Sequence, residues 1–104
     1  TGNTLYTSGQ IALDPATGEL VVGDIKTEAQ LVMQNLKAVL EEADMTFENV
    51  VKTTIFLSDM NNFGTVNEIY GSFFNEDTAP ARETVAVKTL PKSVNVEISV
   101  VAVK

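Results

Sequence analysis

The chain has 104 residues, 44% of them apolar and 20% charged, and a net charge of −7. These values predict one globular domain spanning 1–104 and exclude a disordered tail, a collagen-like rod or a low-complexity linker. There is no Cys and no His, which excludes disulfides, thiolate nucleophiles, nearly every zinc site and any Ser-His or Cys-His dyad.

Acid–base chemistry is thereby left to a carboxylate, a Lys, a Tyr or water. The acidic balance disfavours nucleic acid and anionic membrane as partners. No apolar run approaches the roughly 20 residues that a spanning helix needs. Thr1 to Thr4 carry no charge and lead straight into a strand-like run, unlike a signal peptide. A start without Met reads as a processed or trimmed chain.

In chain order, Leu5 to Ala12 carries β-formers, Asp14-Pro15-Ala16-Thr17-Gly18 signals a turn, and Leu20-Val21-Val22 follows. Together they predict a hairpin with a long loop. Thr27 to Ala43 predicts a helix, with Thr27 and Gln30 as a capping box and a stripe of Ala29, Val32, Leu36, Val39, Leu40 and Ala43. Glu28 falls among the polar positions of that helix. Val50 to Leu57 predicts a strand with Val51, Thr53, Ile55 and Leu57 on its buried face. Asp59 caps a second predicted helix over Met60 to Asn75, whose stripe is Phe63, Val66, Tyr70 and Phe73/Phe74. Thr84 to Val87 predicts a short strand, Pro91-Lys92-Ser93 a turn, and Val94 to Val103 a long alternating strand. The order ββ-α-β-α-ββ predicts an α+β sandwich of two layers, one sheet with both helices on one face. Val50, Phe56, Val101 and Val103 fall on the other face. That surface is too apolar for water alone, so an oligomer is expected.

Several residues could carry chemistry. Arg82 is the only guanidinium, set just after the rigid Ala79-Pro80-Ala81 approach. A guanidinium suits bidentate capture of a carboxylate, although most arginines are solvated surface charges, and a pair with Glu83 is the simpler reading. Glu97 lies mid-strand opposite Val96 and Ile98. It can hold a water or form a plain polar rung, and in a subunit interface it would need a partner. Ser8-Gly9-Gln10 marks either a strand irregularity or a close backbone approach. Asn67 and Tyr70 stand i, i+3 on the second helix, Tyr70 in the core with its hydroxyl at the rim. No phosphate cradle, EF-hand or dinucleotide fingerprint is present.

Taken together, the segments resemble one family. Tyr6-Thr7-Ser8-Gly9-Gln10-Ile11 is similar to the opening signature of the RidA/YjgF enamine/imine deaminases, a family that also carries the labels endoribonuclease L-PSP and translation inhibitor. Gln34 to Leu40, Val51 to Leu57, Phe63 to Tyr70, Pro80-Ala81-Arg82 and Val96-Glu97-Ile98 continue the resemblance in order, to about Val103. The resemblance implies a chorismate-mutase-like α+β fold, a cytoplasmic homotrimer with clefts between subunits, no metal and no cofactor. The implied reaction is hydrolysis of 2-imino acids such as 2-iminobutanoate and 2-iminopropanoate to 2-keto acids and ammonia. Arg82 would clamp the substrate carboxylate, and Glu97 would position the attacking water. Ser8, Gly9 and Asn67 would line the pocket, and the Thr84 amide would bind the carboxylate where many members have Cys. Two alternatives are a non-catalytic trimer that binds small carboxylates and an endoribonuclease. This chain starts after the family's first strand and Gly-Pro-Tyr segment, whose tyrosine reaches the pocket, and its Phe74-to-Arg82 loop is short.

Overall fold

A computed structural model describes residues 3–75, 77 and 79–104. Thr1 and Gly2, at the N-terminal stretch considered above, and Glu76 and Thr78, in the Phe74-to-Arg82 loop, lie outside the described residues. The elements are β1 (Thr4–Tyr6), α1 (Ile25–Glu42), β2 (Val50–Leu57), α2 (Phe63–Gly71), β3 (Ala81–Ala86) and β4 (Val96–Val103). One mixed sheet runs in the order β1-β4-β2-β3, with β4 antiparallel to both neighbours and β3 parallel to β2. Both helices cover one face, which is the two-layer α+β arrangement expected.

The boundaries differ from the sequence expectation for local reasons. Asp24, not Thr27, caps α1: its Oδ1 accepts the Lys26 N–H at 3.2 Å, and the Thr27 hydroxyl donates to its Oδ2 at 2.8 Å. At the other end Asp44 adopts φ 64, where glycine is usual. The Asp44 N–H reaches the Glu41 carbonyl and the Met45 N–H the Leu40 carbonyl, which closes the helix in a Schellman arrangement. Asp59 caps a 3-10 turn at Met60–Asn62, and α2 proper starts at Phe63 and ends at Gly71. The predicted hairpin is largely irregular. Its first strand is three residues long, and its second survives as a single bridge, Leu13 to Leu20.

The core is built by alternation in the sheet and by three-and-four spacing in the helices. Ala29, Val32, Met33, Leu36 and Leu40 of α1 meet Ile55 and Leu57 of β2 and Val96, Ile98, Val100 and Ala102 of β4, while Val66, Ile69 and Tyr70 of α2 close the side. One expectation is overturned in β2. A register shift between Val50 and Lys52 puts a bulge at Val51, so Val50 turns into the core at 3% exposure and Val51 turns out at 49%. An extra residue in one strand reverses the alternation before it. The remaining uncovered face carries Phe56, Val101 and Val103 as expected, joined by Tyr6 and Val85, and beside them the charged pair Lys52 and Glu83. A second difference concerns Glu28, which falls among the polar positions of the helix in the sequence yet is fully buried.

Leu36 has no exposed surface. Leu36→Ala should therefore lower the unfolding free energy by about 2–5 kcal/mol in urea denaturation. A loss below about 1 kcal/mol would show that α1 does not form the centre of the core.

Candidate functional site

Arg82 lies on the outer strand β3, opposite Thr53 in the parallel register. Thr53 is buried under the helices, so the Arg82 side chain rises on the same face, toward α2. There its guanidinium carbon sits 5.5 Å from the Phe63 ring centre and 5.4 Å from that of Tyr70, within the range of cation–π attraction. Its Nη1 donates to Oδ1 of Asn67. The expected pairing with Glu83 does not form; Glu83 points to the opposite face and meets Lys52 at 3.2 Å. Arg82 is thus held by two rings and an amide oxygen, which leaves most of its five donors for a ligand.

A cleft of about 280 Å³ opens beside it, lined by Asn67, Tyr70, Phe74, Pro80 and Arg82 among others. That space is large enough for a compact organic acid. Two roomier grooves run along α1, one at Leu5, Ala38 and Val39 and one at Val21, Gln30 and Leu31, but neither holds a site residue expected from the sequence.

Backbone direction adds to the cation. Val87 donates its N–H to the Leu57 carbonyl at 2.8 Å. By alternation, the peptide groups of Arg82, Thr84 and Ala86 turn toward the outer edge of the sheet. Thr84 thereby presents an N–H on the same edge as the guanidinium. Its hydroxyl is buried and finds no hydrogen-bond partner among the described residues.

Glu97 lies elsewhere. It is paired with Phe56 across the antiparallel register, while its neighbours Val96 and Ile98 are buried under the helices. Alternation therefore sends Glu97 to the uncovered face, beside Phe56. Gly9 meets it there. Thr7 N–H bonds the Val100 carbonyl and Gln10 N–H the Ile98 carbonyl, so Ser8 and Gly9 together oppose Ser99, a bulge. A Cβ on Gly9 would lie 2.6 Å from Cδ and 2.8 Å from Cγ of Glu97. Glycine fits here because the glutamate side chain lies across its backbone, and any Cβ would make that side chain move.

The predicted residues thus form two groups on opposite faces of one sheet: Arg82, Asn67 and the Thr84 edge, and Glu97 with Ser8 and Gly9. Sequence reasoning named both groups but missed Phe63 and Tyr70 as the supports of Arg82. Their spacing from Asn67 on α2 was the available signal. Among the described residues no cluster of three or more acidic side chains offers a metal site.

Tyr70 ties the cleft to the core. Its hydroxyl donates to Oγ1 of buried Thr53 at 3.0 Å. Burial pushes the phenol above its usual 10.0, opposed by the bond to Thr53 and the charge of Arg82.

The domain is a two-layer α+β sandwich with an arginine over aromatic rings on one face of its sheet and a glutamate across a glycine bulge on the other. The family model described as Endoribonuclease L-PSP matches residues 1–104, and the chain belongs to that family, the RidA/YjgF family of the sequence comparison. A "RutC family protein" of Synechocystis is 57% identical over 95% of this chain and 77% of its own length. The mouse protein named 2-iminobutanoate/2-iminopropanoate deaminase is 48% identical, over 97% of this chain and 74% of that one. Escherichia coli TdcF, solved with bound serine, superposes with a TM-score of 0.91 at 41% identity, covering 99% of this chain and 82% of that one.

Two outcomes are expected. Gly9→Ala should fold, with a stability loss of about 1–3 kcal/mol, because a side chain rather than backbone must move; its crystal structure should show Glu97 rotated off residue 9, and an unmoved Glu97 refutes the contact. Stability should fall as pH rises past about 10, because the folded state holds the Tyr70 proton more tightly than the unfolded state does. The measurement is the difference in denaturation midpoints between wild type and Tyr70→Phe, which should show the shallower decline.

Proposed function

We propose that the protein hydrolyses small 2-imino acids to 2-keto acids and ammonia in a homotrimer, without a metal or cofactor, and that it does so in the cytoplasm. The observation that carries this reading is the placement of Arg82, pre-oriented over Phe63 and Tyr70 beside an edge N–H and a cleft fit for a small acid. The identity with deaminases named for this reaction supports it.

In this reading, Arg82 and the Thr84 amide hold the substrate carboxylate by charge-assisted hydrogen bonds. A water on Glu97 attacks the electrophilic C2 of the protonated imine, and Glu97 takes the water's proton. The resulting carbinolamine receives that proton on nitrogen; the C–N bond breaks as the hydroxyl gives its own proton to Glu97, and ammonia leaves with the 2-keto acid. Ser8, Gly9 and Asn67 line the pocket. Because Arg82 and Glu97 lie on opposite faces of one sheet, a shared site needs Glu97 from one copy and Arg82 from another. The apolar face around Glu97 supplies a surface for such contact. The net charge of −7 weighs against RNA cleavage. Carboxylate binding without turnover is the second reading, favoured by the serine in TdcF.

The test is ammonia release from 2-iminobutanoate supplied by a threonine dehydratase. Arg82→Ala removes at least two charge-assisted bonds of about 1.5–3 kcal/mol each, so kcat/KM should fall at least about 100-fold, with the oligomer intact by light scattering. Undiminished hydrolysis in that variant rejects the reading. Binding of 2-oxobutanoate with no ammonia release by wild type selects the second.

A further inference from the structure

Glu28 is the only fully buried acidic side chain among the described residues. Its Oε2 accepts the backbone N–H groups of Asn95 at 2.8 Å and Val96 at 3.2 Å, and its Oε1 accepts the Asn95 side-chain amide at 2.9 Å. The ion pairs among the described residues, Lys52–Glu83 and Lys104–Asp44, do not involve it. Its charge is met by N–H dipoles and by its place in the first turn of α1, where the helix end favours an anion.

An apolar side chain of similar volume closes a helix–strand corner at least as well as a buried carboxylate does. The carboxylate differs in that it fixes backbone. The chain enters β4 from a turn in which Lys92 and Ser93 take φ 57 and 56 in succession, a region that costs non-glycine residues energy. Directly after it, Glu28 holds Asn95 and Val96, and Asn95 is tied back to Ser58 at the end of β2 by its carbonyl and its side chain. Beyond, Ile98 exchanges two backbone hydrogen bonds with Gln10, at 2.7 and 3.0 Å. Glu97 lies between these anchors and is itself paired with Phe56 of β2. Its side chain lies across Gly9, so the path of the strand through Asn95 and Val96 sets where the carboxylate falls.

We propose that Glu28 is a positioning residue: by holding Asn95 and Val96 it keeps the Glu97 carboxylate over Gly9. What Glu97 then does rests on the function proposed above.

The experiment compares E28Q in the wild-type and E97Q backgrounds, measuring imine hydrolysis and 2-oxobutanoate binding. A misplacement of about 1 Å costs up to about 100-fold, so E28Q should lower kcat by about tenfold or more. KM and 2-oxobutanoate affinity, set by Arg82 on the other face, should stay within about twofold. In the E97Q background the same change should add no further loss, since there is no carboxylate left to misplace. An equal loss in both backgrounds, weakened ligand binding in step with kcat, or an unchanged kcat overturns the proposal. If E28Q fails to fold, E28D, which keeps the charge one methylene short, is read by the same criteria. If wild type releases no ammonia, the functional reading fails while this one is still tested. Crystal structures of wild type and the Glu28 variant must then differ in the place of the Glu97 carboxylate over Gly9, and superimposable carboxylates refute it.

Discussion

The two-residue period of the β-strand decides where the chemistry of this protein can sit. Arg82 opposes buried Thr53 and must rise on the helix side, while Glu97 stands between buried Val96 and Ile98 and must point away from it. Neither side chain can change face without shifting a whole strand by one residue, which would drive the apolar set of β4 into solvent. A cation and a carboxylate are thus fixed on opposite surfaces of one thin sheet. Any chemistry that needs both has to bring two copies of the chain together, and the unpaired apolar face around Glu97 gives them a reason to meet.

Each group is held by a different kind of force. Arg82 is exposed, so an ion pair would orient it only weakly. It rests instead against Phe63 and Tyr70, and Tyr70 is itself pinned through Thr53 to the centre of the sheet. The aromatic rings carry the rigidity of the core out to the rim of the cleft. Glu97 is controlled through backbone: a bulge at Ser8 and Gly9 makes room for it, and the bonds at Asn95, Val96 and Ile98 set the strand from which it projects. With neither His nor Cys in the chain, selectivity of this kind has to come from placement rather than from an intrinsically reactive group.

The layer order and most of the core were legible in the sequence, because apolar periods of two and of three to four residues report burial directly. The stripe of α1, the alternation of β4 and the outward position of Glu97 all came from such periods. Where one residue breaks the period, the reading slipped. The bulge at Val51 exchanged Val50 and Val51, and the bulge at Ser8 and Gly9 cut the first strand short. Glu28 falls among the polar positions of its helix because of its charge, although it stands four residues before Val32 on the buried stripe.

Local chemistry alone determined the elements, the acidic surface, the restriction to carboxylate, amine, phenol or water chemistry, and the candidate pair Arg82 and Glu97. Tertiary structure decided what surrounds each of them: two rings and an amide for Arg82, a glycine backbone for Glu97, three N–H donors for Glu28. Those partners lie 12 or more residues away along the chain, and contacts of that kind leave no periodic trace. They exist only once β4 has paired between β1 and β2 and the helices have closed over one face.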